Sequence, residues 1–310
     1  MKSYSFVMLI VVYLCIIDAA DNVSLAHYDQ PLHASTCTAT KQPHINALHK
    51  VSKRGIAYTP YTDDSQCKAS TTIISDIALI KTKGFSTIRV YSLDCDILRI
   101  IGRAARAKGL KMIIGISIVS TNIEELDKQV ADLVAWSEWD LVSLVVVGNE
   151  AIFKGLVNAA LLAFFISACR QGLQRTGYSG PVTIAEPVNI WQSNGDLLCD
   201  AVDIIGANMH CFFNPSIDAS RCGQFVSDQI KILKNVCGNK RVINLETGWP
   251  THGHNNGNAI PGIPEQQKAI KSLFAEGFHE DTILFSFANE LWKDPGPFEV
   301  EQSWGCMDVF

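Results

Sequence analysis

From residue 55 onward the chain alternates short, nearly continuous apolar runs with longer stretches whose apolar residues recur at helical spacing. The apolar runs predict strands at 55–59 (GIAYT), 87–91 (TIRVY), 111–116 (KMIIGI) and 141–147 (LVSLVVV). Four more follow at 182–185 (VTIA), 203–209 (DIIGANM), 241–245 (RVINL) and 282–287 (TILFSF). Helices are predicted between them, near 70–83, 95–108, 122–138, 160–176, 191–199, 221–236 and 264–277. A strand wet on one face alternates polar and apolar residues; these do not, so both faces are buried and the sheet is parallel. Unbroken alternation of eight strands with helices predicts an α/β fold, a single-domain (β/α)8 TIM barrel over residues 55–310. The rival is an open doubly wound sheet, which would carry a glycine-rich phosphate loop after its first strand. The segment after the first strand here reads "YTPYTDD".

Residues before 55 follow another pattern. Residues 1–20 place Lys2 ahead of an apolar run and end in Ala19-Ala20, the grammar of a signal peptide. The run from Phe6 to Ile17 is short for a membrane anchor. Residues 21–54 lack periodicity and read as a flexible lead-in or pro-segment, with a glycosylation sequon at Asn22-Val23-Ser24. Lys53-Arg54 reads as a solvated entrance to the first strand, with proteolytic processing as the alternative. The expected localisation is therefore secreted, extracellular or cell wall. Net charge is −5, with acids and bases interspersed and no basic stripe, which argues against nucleic acid. A monomer without a membrane anchor is expected.

Of ten cysteines, Cys15 falls in the signal segment and Cys37 in the lead-in, leaving eight, an even set suited to disulfides in an exported chain. Local topology suggests Cys67 with Cys95, Cys199 with Cys237, and Cys211 with Cys222. Cys169, in an apolar helix, reads as a buried thiol.

The chemistry lies at the strand ends. Strand four runs into Gly148-Asn149-Glu150, and strand seven into Glu246. In a barrel these loops gather on the C-terminal face, where active sites sit. One acid at a helix start would be unremarkable; two, each fused to a buried strand, suit glycoside cleavage. There, one carboxyl is protonated to release the leaving oxygen and the other is ionised. A separation of about 5–5.5 Å retains configuration and about 6.5–9.5 Å inverts it. Tyr58, Tyr61, Tyr91, Trp191, Phe212, Phe213, Trp249 and Trp292 crowd the same loops and offer sugar-stacking faces. Arg89, Asp94, Asn149, Glu186, Asn208, His210 and Glu290 offer polar partners. His210 has only Cys211 beside it at ligand spacing, so no metal and no cofactor are expected.

At these residues the chain resembles glycoside hydrolase family 17, the β-1,3-glucanases, and within it the secreted fungal cell-wall type. "GIAYTPY", "STIRVYSLDCD", "GLKMIIGI", "VVVGNEAIF", "ANMHCFFNP", "INLETGWPTHG" and "VEQSWGC" carry the resemblance over residues 55–306. It implies a metal-free, retaining barrel enzyme on β-1,3-glucan or its oligosaccharides, with chain transfer to another sugar as a second outcome. Position by position it implies Glu150 as general acid/base and Glu246 as nucleophile. Asn149 would orient the sugar 2-hydroxyl, and Tyr58, Tyr91, Glu186, His210, Trp249 and Glu290 would line the cleft; Arg89 and Phe213, from the polar and aromatic residues of the same loops, are expected to bind substrate with them. His210-Cys211 stands where fungal relatives read His-Pro, which fits the local pairing of Cys211 with Cys222. The subdomain that plant relatives insert after strand six is missing, which implies a shorter, more open acceptor side. A non-catalytic cell-wall glucan-binding protein is the alternative; it would keep the aromatics but lack one acid.

Overall fold

The computed structural model describes residues 54–277 and 281–310; the expected signal peptide, sequon and lead-in lie outside the described residues, apart from Arg54. Eight parallel strands close into a barrel in chain order. They are β1 (Gly55–Ala57), β2 (Thr87–Val90), β3 (Lys111–Ile116), β4 (Val142–Asn149), β5 (Val182–Pro187), β6 (Ile205–Asn208), β7 (Val242–Thr247) and β8 (Thr282–Leu284). Seven helices connect them: α1 (Ser70–Thr82), α2 (Ile97–Lys108), α3 (Ile123–Trp136), α4 (Ala159–Gln174), α5 (Val188–Ala201), α6 (Cys222–Val236) and α7 (Ile263–Ala275). Closure comes from β1, which pairs with both β2 and β8. Every strand is buried along nearly its whole length, the reason its sequence is continuously apolar.

Single-turn helices at Cys211–Phe213 and Ala219–Arg221 are the only regular structure between β6 and α6, so no subdomain interrupts the barrel there. The three expected disulfides form, Cys67–Cys95, Cys199–Cys237 and Cys211–Cys222. Cys169 and Cys306 are buried thiols.

Arg54 departs from the expected solvated entrance. Its guanidinium stands over the rings of Phe85, Phe274 and Phe310 at 5.0, 5.1 and 4.2 Å. Its carbonyl accepts from the Ser86 backbone N–H at 3.0 Å. A planar guanidinium stacks where an ammonium would hydrate, so Arg54 belongs to the floor of the barrel.

Candidate active site

The site begins at the exits of β4 and β7. Glu246 is not after its strand, as the sequence suggested, but within it, so a continuous ladder holds its backbone. It pairs across to Asn208 of β6. The carboxyl is almost wholly enclosed and has two partners. Arg89 Nη1 donates to Oε1 at 3.0 Å, and His210 Nε2 lies 3.1 Å from Oε2. Burial pushes the Glu246 carboxyl upward, but Arg89, His210 and Tyr91 together outweigh it and hold the group down at about 2. An ionised carboxylate only accepts, so the shared proton sits on His210 Nε2. Tyr91 lies under Arg89, 4.5 Å from ring centre to guanidinium. Its hydroxyl is close to Glu246 without completing a well-formed hydrogen bond.

Glu150 follows β4 in a left-handed conformation, φ 59°. Its N–H extends the pairing to β5 by donating to the Ala185 carbonyl at 2.7 Å. Lys154 Nζ sits 3.3 Å from the Glu150 carboxyl. Asn208 Nδ2 donates to Glu150 Oε1 at 3.0 Å and to Asn149 Oδ1 at 3.1 Å. Arg89 Nη2 donates to the same Asn149 oxygen at 2.8 Å. One polar chain, Glu150–Asn208–Asn149–Arg89–Glu246, therefore ties the two glutamates together, and both face one cavity of about 790 Å³.

The other expected site residues divide. His210 and Phe213 line the cavity with the two glutamates. Arg89, Tyr91 and Asn149 do not line it but stand next to the glutamates, Arg89 bonding both Glu246 and Asn149 with its guanidinium over the Tyr91 ring. Tyr58 does not join them: it is buried, and its hydroxyl donates to Asp76 of α1 at 2.8 Å. Trp249 is fully buried and its indole donates to the Ile260 carbonyl at 2.8 Å, with Phe212 packed on it. It supports the wall from behind. Trp191 and Phe212 are equally buried, Trp191 donating to the Gly206 carbonyl. Tyr61 packs edge-on against Trp292 and bonds Asp94, apart from the cavity.

Glu186 is 1% exposed and turned away from the cavity. It accepts from the backbone N–H groups of Ile152 at 2.8 Å and Phe153 at 3.2 Å. Burial raises its carboxyl to about 7, against the opposing pull of those two donors. Glu290 bonds Thr59 and pairs with Lys293, whose ammonium lies 4.5 Å from the Phe285 ring centre.

Sequence reasoning missed Phe153, Phe285, Glu301 and Trp304, which also line the cavity. Trp304 packs edge-on against His210 at 4.9 Å between ring centres. Burial pushes the Glu301 carboxyl up, with His210 and Lys293 pulling it down. Trp304 and Glu301 both sit in "VEQSWGC", so the signal was present, but that segment has no strand or helix period to orient them. Among the described residues no cluster of three or more His, Cys, Asp or Glu is arranged to hold a metal.

Two carboxyl groups at the exits of strands three apart, sharing the mouth of a closed parallel barrel, fit the glycoside hydrolase class. The chain belongs to the BtgE/BtgC glycoside hydrolase domain family, whose model matches residues 55–305. It is 53% identical over 256 residues to the probable beta-glucosidase btgE of Aspergillus flavus, an alignment covering 83% of this chain and 42% of that protein. The Aspergillus terreus counterpart is 51% identical over 256 residues, covering 83% and 46%. The chain thus spans less than half the length of these curated relatives. Among solved structures it is similar to a glycoside hydrolase family 17 β-1,3-glucanosyltransferase from Rhizomucor miehei. That likeness has a TM-score of 0.70 at 18% identity and covers 82% of this chain and 93% of that one. An active-site mutant of the Rhizomucor enzyme in complex with laminaritriose matches with the same TM-score, 0.70, at 17% identity, covering 81% and 91%.

Proposed function

We propose that this chain is a retaining glycoside hydrolase of family 17 that cleaves β-1,3-glucan through a covalent glycosyl-enzyme intermediate and also passes glucan chains to sugar acceptors. Glu246 is the nucleophile, Glu150 the general acid/base, and Asn149 the residue that meets the sugar 2-hydroxyl. The observation that carries this reading is the asymmetry of the pair. Glu246 is buried yet held ionised by Arg89 and His210, whereas Glu150 lies beside the cavity with a side chain 20% exposed. A nucleophile must be charged before substrate arrives, and the acid must reach both the leaving oxygen and, later, water. The laminaritriose complex of the Rhizomucor enzyme supports β-1,3-glucan as the substrate class. Phe153 and Phe213, 57% and 39% exposed at the cavity edge, suit an acceptor sugar. Three disulfides support an oxidising, extracytoplasmic setting.

Incubation with a defined β-1,3-gluco-oligosaccharide, followed by proton NMR and product sizing, tests this. The β-anomer is expected first, with some products longer than the donor. First release of the α-anomer ends the retaining mechanism, and products that are only shorter end the transfer claim. Glu246→Gln is expected to lose roughly three or more orders of magnitude in turnover with the fold intact, comparable to removing other catalytic nucleophiles.

A further inference from the structure

The turn that carries Glu150 is held from behind. A non-glycine residue in the left-handed region persists only where its surroundings hold it there, and Glu150 is such a residue, at φ 59°. Ala151, next in line, is fully buried. The following two N–H groups, of Ile152 and Phe153, point inward and end on the two oxygens of Glu186, at 2.8 and 3.2 Å. Phe153 itself lines the cavity. One carboxyl group on β5 thus fixes the backbone between Glu150 and a residue of the cleft wall. It is 1% exposed and does not line the cavity, so it does not touch substrate.

A side chain needed only to fill that space would be apolar, because an enclosed carboxyl is costly unless its oxygens are used. Here both are used, each on a different residue of the same turn. A glutamine could satisfy one donor and would set its own amide N–H against the other.

We propose that Glu186 is a positioning residue for the reaction, clamping the 150–153 turn so that the Glu150 carboxyl is aimed at the glycosidic oxygen. This rests on the reading of Glu150 as acid/base. Nucleophilic attack by Glu246 does not run through the clamp. Both steps that need Glu150 do: protonation of the leaving oxygen, and removal of a proton from the incoming water or sugar.

The test separates those steps in Glu186→Ala, Glu186→Gln and Glu150→Ala. A 2-fluoro dinitrophenyl β-laminaribioside labels Glu246 without needing an acid, since the leaving phenolate takes its electron pair unprotonated. Labelling of Glu186→Ala is expected within about threefold of wild type, while kcat on β-1,3-glucan falls roughly 100-fold with little change in KM, the scale of a small misplacement. On unfluorinated dinitrophenyl β-laminaribioside, azide is expected to restore turnover of Glu186→Ala and Glu150→Ala and to leave wild type unaffected. Azide needs no base. Its nitrogen bonds to the anomeric carbon as the ester to Glu246 breaks, the carboxylate keeps the electron pair, and a β-glycosyl azide accumulates. Glu186→Gln keeps one acceptor and the volume, and is expected to show the same pattern with a smaller loss, which covers the case of an alanine variant that does not fold.

Labelling and glucan turnover falling in equal proportion would show that Glu186 merely supports the fold. Azide rescue of Glu150→Ala without rescue of Glu186→Ala would end the clamp while sparing the acid/base reading. No rescue of Glu150→Ala would end both.

Discussion

At the scale of single residues, Arg89 does the most to make the site. One guanidinium nitrogen holds Glu246 and the Leu245 carbonyl, and the other holds Asn149. Glu246 stays ionised because this charge, with His210 and Tyr91, overcomes burial. Arg89→Met removes the first opponent, so the carboxyl of Glu246 rises. A nucleophile with a raised value is protonated over more of the acid range. The acid limb of the kcat/KM profile is therefore expected to move upward in pH, with about 3–5 kcal/mol of stability lost because the buried carboxylate keeps only His210 as a partner. An acid limb that stays in place would show that Arg89 does not set the charge of Glu246. Lysine is no substitute, because a point charge cannot bridge both partners. Trp249 is the contrasting case. Enclosed behind the wall, it is expected to matter for stability and not for binding. Trp249→Phe should cost about 1–3 kcal/mol, from lost volume and the lost bond to Ile260, at unchanged KM for glucan. A large rise in KM would put the indole back in the cleft.

At the scale of elements, the strand period explains which aromatic residues were legible. Residues two apart on a strand share a face. Ala57 pairs with Arg89, which points into the barrel, so Tyr58, one residue on, points out to α1. Tyr91, two beyond Arg89, points in. Trp249 stands an odd number of residues from Glu246 and faces outward, so parity was available in the sequence and opposed a role as sugar platform. No such rule reaches Trp304 or Glu301. Their segment is fixed by bonds such as Ser286 N–H to the Trp304 carbonyl at 2.9 Å, which only the closed barrel creates. The strands themselves were legible because burial on both faces leaves unbroken apolar runs. Their ends were less so: β4 and β7 extend past those runs into polar residues that the ladder still pairs. Gly248 shows the constraint at that junction. Its role is close approach, since an added Cβ would stand 2.2 Å from the Phe285 carbonyl oxygen. Gly248→Ala is expected to push β8 from β7, cost about 1–3 kcal/mol, and lower kcat by moving Glu246 and Phe285, which share the cavity. Unchanged melting temperature and kcat would show that the junction yields freely.

At the scale of the whole molecule, Glu246 and Glu186 act on stability in opposite pH windows. Glu246 has an ordinary value of 4.5 and a folded value of about 2. The unfolded chain binds its proton first as pH falls, so this group's contribution is complete above 4.5 and is lost on the way down to about 2. Glu186 runs the other way, from 4.5 in the unfolded chain to about 7 in the fold. Between those values the folded state holds the extra proton, so its contribution is complete below 4.5 and is lost as pH rises to about 7. Each interval corresponds to about 3 kcal/mol. Glu301, also raised by burial, adds to the loss on the neutral side. Exposed acids such as Asp140 and Asp228 are lowered by surface partners, and solvent screening keeps their contributions small. The molecule is therefore expected to be most stable in mildly acidic solution, near the point where the two windows meet. Urea midpoints measured across pH should fall from there toward neutrality in the wild type. In Glu186→Gln, which has no proton to hold, that decline should shrink, whatever constant offset the lost hydrogen bond introduces. Parallel curves for the two proteins would mean that Glu186 titrates alike in folded and unfolded chains, and that the neutral-side loss arises elsewhere.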